Sequence, residues 1–155
     1  MKSLFIVNDF PPILGGQSSY LYNLCRAFPK EKIVVLAPTW KGSKEFDEKQ
    51  DFLIIRKRYV FSIPGIEKIL KIILPLFYVL PILKKYEIKR IHCAHVLSTG
   101  IIGLILKKFF KKQYYVYTYS ADIMEYQKYG LIKKVLVCVL RGAEKVMAIS
   151  QYNRD

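Results

Sequence analysis

The amino-acid sequence predicts an α/β domain built on a doubly wound parallel sheet. Short apolar runs rich in β-branched and aromatic residues alternate with segments of helical periodicity. The first run leads through a proline- and glycine-bearing loop into a helix, the opening of a nucleotide-fold unit. The chain has 155 residues, 52% of them hydrophobic, enough for one domain with its own core. Such an alternation implies right-handed crossovers, and a sheet wound that way takes ligands beyond the carboxyl ends of its strands.

Ser3 to Asn8 is apolar without alternation, as expected of a central strand buried on both faces. Phe10-Pro11-Pro12 forbids helix, and after Gly15-Gly16 a helix opens at Gln17 or Ser18, with Tyr20, Leu21, Leu24 and Phe28 at helical spacing until Pro29. Ile33 to Ala37 is the second strand, Lys41 to Asp51 a polar loop, and Phe52 to Arg56 the third strand. Ile66 to Tyr86 is a mostly apolar helix expected to bend or break near Pro75 and Pro81. Arg90 to Ala94 is the fourth strand. Thr99 to Phe110 is a helix whose closing lysines, Lys107 and Lys108, suit its carboxyl-terminal dipole. Tyr114 to Tyr119 is the fifth strand, Leu131 to Leu140 a helix, and Val146 to Ile149 the sixth strand, with Ser150 placed to cap a further helix. The segments leaving strand ends on one edge are then Asp9 to Ser18, Ala94 to Gly100, Tyr119 to Tyr126 and Ser150 onwards, and chemistry is expected there.

Twenty-six lysines and arginines against twelve acids leave a formal charge of +14, which draws the chain towards anionic lipid, phosphorylated substrates or nucleic acid. Nucleic-acid binding would need exposed aromatics interleaved with cations in a recognisable module; the charge is present without the module, so nucleic acid is not an expected partner. Cys25, Cys93 and Cys138 lie far apart in apolar surroundings and predict buried free thiols in a reducing compartment. Leu4 to Val7 is too short a run for a signal peptide, so a cytoplasmic location is expected. The longest apolar stretch, Ile72 to Leu83, falls short of the roughly 18 to 20 residues that span a bilayer.

Adjacent glycines let a backbone approach a diphosphate, and the helix amino terminus that follows favours negative charge; the same pair also serves as a plain turn before a helix. Asn8-Asp9-Phe10-Pro11-Pro12-Ile13-Leu14-Gly15-Gly16-Gln17, with Tyr20, Asn23, Leu24 and Arg26, resembles the first loop and helix of glycosyltransferase family 4. Ile91-His92-Cys93-Ala94-His95 resembles that family's His-x-x-His stretch. Alternation turns the two histidines apart and leaves His95 nearer the open edge, while His92 also suits a place in the core. With no third ligand in sight, a zinc pair is a poor reading and no metal is expected.

Tyr117-Thr118-Tyr119-Ser120-Ala121-Asp122-Ile123 is similar to a segment that commonly runs His-Gly-x-Asp. Tyr119 stands where the histidine usually lies: it still donates a hydrogen bond but does not titrate near neutrality. Asp122 either accepts hydrogen bonds from acceptor hydroxyls or caps a short helix. Ala143 to Asp155 resembles the stretch ending the family's amino-terminal domain, with Ser150 and Arg154 facing the interdomain cleft, although Ser150 is equally explained as a helix cap.

The resemblance covers Asn8 to Asp155 and implies a Rossmann-like domain, the amino-terminal, acceptor-binding half of a GT-B architecture. Residues 1–155 would be that domain, with the carboxyl-terminal donor-binding domain outside this chain. The activity implied is a retaining, metal-independent hexosyl transfer from a nucleotide sugar to a glycan or lipid-linked acceptor of the cell envelope, with no activity from this fragment alone and no cofactor beyond the donor substrate. On this reading His95, Tyr119 and Asp122 place the acceptor hydroxyl, and Gly15, Gly16, Gln17, Ser150 and Arg154 contact the donor side. The alternative is a non-catalytic acceptor- or membrane-binding subunit that needs a separate donor-binding chain.

Cations bracket the apolar Ile66 to Tyr86 helix: Arg56, Lys57, Arg58, Lys68 and Lys71 on one side, Lys84, Lys85, Lys89 and Arg90 on the other. An apolar helix flanked by lysines suits an anionic membrane surface, giving a peripheral position on the inner face of the membrane; a core helix with a solvated basic face gives the same pattern.

Overall fold

The computed structural model describes residues 1–62, 64–119 and 130–149. Within them lie β1 (Lys2–Ile6), α1 (Gly16–Ala27), β2 (Ile33–Pro38), α2 (Ser43–Asp47), β3 (Leu53–Lys57), α3 (Glu67–Lys85), β4 (Ile88–Cys93), α4 (Thr99–Phe110), β5 (Gln113–Thr118), α5 (Gly130–Gly142) and β6 (Lys145–Ala148). The sheet has six strands in the order β3-β2-β1-β4-β5-β6, and every neighbouring pair is parallel. This is the doubly wound, Rossmann-like arrangement that the alternation predicts.

Side chains alternate across the sheet and build two apolar layers. Leu4, Ile6, Leu36, Ile91 and Val116 point to one face, which α3, α4 and α5 cover with Val79, Ile82, Ile102, Leu106, Leu136 and Val139. Phe5, Val7, Ile33, Val35 and Tyr117 point to the other, where Leu21 and Cys25 of α1 pack with Phe10. All six residues of β2 are buried, so its unbroken apolar run reflects coverage on both faces. Small residues set the approach of α4: a Cβ on Gly103 would lie 2.6 Å from Tyr114 Cδ2 and 2.7 Å from Cys93 Sγ, so the helix sits directly on β4 and β5.

Four expectations are corrected. The polar stretch Lys41 to Asp51 is not all loop, because Ser43–Asp47 forms α2, whose Phe46 packs against Phe10 and Tyr22. The segment from Ile66 to Tyr86 does not break: α3 runs continuously through Pro75 and Pro81. Each proline withdraws the amide that would bond the carbonyl four residues earlier, Lys71 and Phe77, and packing on the sheet through Pro75, Val79, Ile82 and Leu83 holds the helix together. Cys25 and Cys93 are buried, but Cys138 is exposed, because it lies on the outer face of α5.

Arg56 is the fourth correction, since it is not a free surface cation. Its Nε and Nη2 bond Asp47 at 3.0 and 2.8 Å, Nη1 donates to the Pro38 carbonyl at 2.9 Å, and Nη2 to the Pro11 carbonyl at 2.6 Å. It thereby ties β3 and α2 to the loop that carries the glycine pair.

Candidate functional site

The sheet reverses its winding between β1 and β4, and the loops leaving these two strands part to opposite faces. Crevices of ligand-binding size form at such points. A cavity of about 490 Å³ lies here, between the ends of β1 and β4 and the amino-terminal turns of α3, α4 and α5.

Asn8 and Asp9 follow β1; His95, Leu97 and Ser98 follow β4. Asn8 Nδ2 donates to Ser98 Oγ at 2.7 Å, joining the two loops. The backbone of His95 is held by Thr99, whose Oγ1 accepts from the His95 amide at 2.9 Å and donates to its carbonyl at 3.0 Å. Behind the loops, the buried Tyr59 hydroxyl donates to the Val7 carbonyl and, at 3.1 Å, to that of Leu36, which ties the segment after β1 to β2.

His95 Nε2 stands 3.5 Å from Asp9 Oδ2. The hydrogen bond to His95 holds the Asp9 carboxyl below its ordinary range; partial burial opposes this, and the charges of His95 and Lys71 add to it. Asp9 is therefore a carboxylate at neutral pH, and at 44% side-chain exposure it is open to a ligand, while His95 at 16% is more enclosed. The Tyr119 ring lies 5.7 Å from that of His95, tilted by 39°.

The glycine loop reaches the same edge from the opposite face. Ser18 Oγ donates to the Ile13 carbonyl at 2.7 Å, and the Ser19 amide bonds the Gly15 carbonyl at 2.9 Å, closing the first turn of α1. Gly15 and Gly16 are exposed, Gln17 is half-buried, and the first turn carries no acid. A Cβ on either glycine would meet nothing within 4 Å, and Gly15 is simply extended at φ 165°, so packing within the chain does not require glycine at these positions.

Of the residues singled out from sequence, His95 and Tyr119 come together beside the cavity. Gly15, Gly16 and Gln17 stand on the same edge but do not line it. Asp122, Ser150 and Arg154 lie outside the described residues. His92 is a core residue: it stacks on Phe5 and Tyr115, and its Nδ1 lies 2.9 Å from the Tyr117 hydroxyl. Burial, helped by the charge of Arg90, lowers its pKa to about 4. Sequence reasoning missed Asp9 as a site residue, although a carboxylate just past the first strand is a legible signal. It also missed the Lys68 and Lys71 rim and the Ile132 and Val135 wall, which depend on how α3 and α5 lie across the sheet.

The model of Glycosyltransferase Family 4 matches residues 14–155. The chain belongs to glycosyltransferase family 4. It is similar over short stretches to two mannosyltransferases. Over 51 residues it is 47% identical to the GDP-mannose-dependent α-(1-6)-phosphatidylinositol monomannoside mannosyltransferase of Mycolicibacterium smegmatis, covering 30% of this chain and 12% of that protein. Over 57 residues it is 39% identical to the GDP-mannose-dependent monoacylated α-(1-6)-phosphatidylinositol monomannoside mannosyltransferase of Corynebacterium glutamicum, covering 36% of this chain and 15% of that protein. Anabaena HepE, solved in complex with UDP, superposes with a TM-score of 0.70 at 17% identity, over 99% of this chain and 39% of that one. This likeness shows the fold: the six-stranded sheet of this family member matches part of a GT-B glycosyltransferase. The chain thus spans well under half the length of the solved neighbour, and a smaller share still of the two mannosyltransferases is matched.

Proposed function

We propose that this chain is the acceptor-binding, amino-terminal half of a retaining, metal-independent glycosyltransferase that moves a hexose from a nucleotide sugar to a lipid-linked or cell-envelope acceptor at the inner face of a membrane. The observation that carries this reading is the convergence, on one sheet edge, of an unobstructed glycine pair at the start of α1 and of the Asp9–His95 pair in the cavity between β1 and β4. The amide hydrogens of the first turn of α1 meet the donor diphosphate, with Ser150 and Arg154 completing that side. Asp9 accepts a hydrogen bond from the acceptor hydroxyl, and His95, Tyr119 and Asp122 orient it. Catalysis is then mainly placement and preorganised electrostatics.

Membrane attachment is supported by α3. Ile66, Ile69, Ile73 and Phe77 recur at spacings of three and four residues and stay between 44% and 67% exposed, while Lys68 and Lys71 lie at one end of the helix and Lys84 and Lys85 at the other. Among the described residues no helix is long and apolar enough to cross a membrane, so the contact proposed is a surface one.

The relatives act with GDP-mannose and the solved neighbour holds UDP, so the test offers both GDP-mannose and UDP-hexoses, radiolabelled, with a membrane lipid extract. It compares the protein as its gene encodes it with residues 1–155 alone. Label entering the lipid fraction only with the gene-encoded form is the expected result, and Gly16→Ala is expected to lower that transfer at least tenfold without loss of stability. Absence of transfer from every donor by a folded, gene-encoded protein would instead favour the non-catalytic binding subunit.

A further inference from the structure

The cavity has two unlike sides. Asn8, Asp9, His95 and Ser98, at the ends of β1 and β4, make one side polar; Val60, Leu97, Ile101, Ile132 and Val135 make the other aliphatic. Among the described lining residues the formal charges, Lys68 and Lys71 against Asp9 and Glu67, balance. Among the described lining residues there is no Phe, Tyr or Trp, and the apolar wall is branched aliphatic rather than a flat ring face on which a bare sugar could stack.

The wall also continues outwards. Leu131 lines the cavity yet is 78% exposed, which puts an apolar side chain at the mouth. Ile66 and Ile69, next to the lining residues Glu67 and Lys68, are likewise exposed. Leaving such side chains in water forfeits about 25 cal/mol for each Å² of apolar surface that a ligand would cover.

We propose that this cavity binds an amphiphile whose hydroxylated headgroup sits at Asp9 and His95 and whose aliphatic chain lies on Ile101, Ile132 and Val135 and leaves over Leu131. The proposal rests on the acceptor-site reading above and narrows it: the acceptor carries its alkyl or isoprenoid chain close to the accepting sugar or polyol. A free glycan lacks the apolar part that this wall would cover. The proposal includes no phosphate, since the charges among the described lining residues balance.

The test is an NMR titration of methyl-labelled chain with methyl, butyl, hexyl and octyl glycosides of one sugar, each below its micellar concentration, with octanol and inorganic phosphate as further probes. Affinity is expected to rise by up to roughly fourfold per added methylene, the transfer value for a fully buried CH₂. The shifted methyls should be those of Ile101, Ile132 and Val135. Leu131→Asp, at an exposed position where folding is not at risk, should lower octyl glycoside affinity at least fivefold and leave methyl glycoside affinity unchanged. Asp9→Asn should weaken every glycoside and leave octanol unaffected.

Equal binding of methyl and octyl glycosides, shifts confined to Ile69 and Ile73, or octanol binding as tightly as octyl glycoside would overturn the proposal. So would binding of inorganic phosphate at these methyls in preference to the glycosides. Enzymatic transfer onto a soluble glycan with no dependence on chain length would overturn it while leaving the transferase reading intact. Chain-length-dependent binding without any transfer would do the reverse.

Discussion

His92 and His95 lie three positions apart and live in different media. His92 sits between aromatic rings at 7% exposure, and burial holds it neutral down to a pKa of about 4. In the unfolded chain a histidine titrates near 6.5. Between these values the unfolded state binds more protons than the native one, so stability rises with pH from about 4 to about 6.5 and levels off above. The full effect of the shift is on the order of 3 kcal/mol. We expect urea midpoints measured across that window to fall as the pH is lowered, and the slope to flatten in His92→Phe, whose ring stacks but does not titrate. An unchanged slope would mean that another group carries the acid sensitivity. Asp9 shows the complementary case: a carboxylate that the hydrogen bond to His95, with the charges of His95 and Lys71, holds below its ordinary range against partial burial.

At the scale of elements, α4 is positioned by what it lacks. Gly103 brings the helix backbone onto Tyr114 and Cys93, and a Cβ added at Gly100 would lie 2.8 Å from Val139 Cγ1 on α5. Gly103→Ala removes an unfavourable helix residue but puts a methyl group into a filled space. Overpacking of this kind typically costs about 1 to 3 kcal/mol, against a propensity gain of at most about 1 kcal/mol. The expected outcome is a net loss of stability in chemical denaturation with the fold kept. The same logic reversed applies at Gly15 and Gly16, where space is open and an added methyl group meets no atom of the chain within 4 Å. Two residue pairs of one type thus separate: packing within the chain requires glycine at Gly100 and Gly103 and does not require it at Gly15 and Gly16.

Over the whole molecule, the cleft and the lysines of the last turns of α3 and α4 lie at opposite edges of the sheet. The first turns of α3, α4 and α5 reach the edge where β1 and β4 end, whereas the last turns of α3 and α4 carry Lys84, Lys85, Lys107 and Lys108 to the opposite edge, with Phe109 and Phe110 exposed there. Such a surface is expected to bind vesicles containing anionic lipid at low ionic strength and to release them as salt rises, because the screening length falls from about 30 Å at 0.01 M to about 8 Å at 0.15 M. Replacing Ile73 and Phe77 together by serine should reduce vesicle co-sedimentation roughly tenfold with little change in stability, since both side chains are already exposed. Binding that follows salt but ignores this double substitution would leave charge alone as the attachment.

Periodicity and local chemistry by themselves determined the order of the six strands along the chain, the described helices other than α2, and the parallel sheet. These follow from short-range rules: unbroken apolar runs for covered strands, Pro29 for the end of α1, and the glycine pair for an open helix start. The family was legible for the same reason, since its motifs are contiguous segments such as Asn8 to Gln17. Tertiary structure decided what depends on distant partners. Whether Arg56 is a surface cation or a tether turned on Asp47 and the Pro11 carbonyl; whether α3 survives its prolines turned on the sheet beneath it. The pairing of Asp9 with His95, 86 positions further along the chain, and the aliphatic wall from α5 exist only because crossovers bring the ends of β1 and β4 together under three helix starts. No local pattern encodes those distances, because each is set by how whole elements pack.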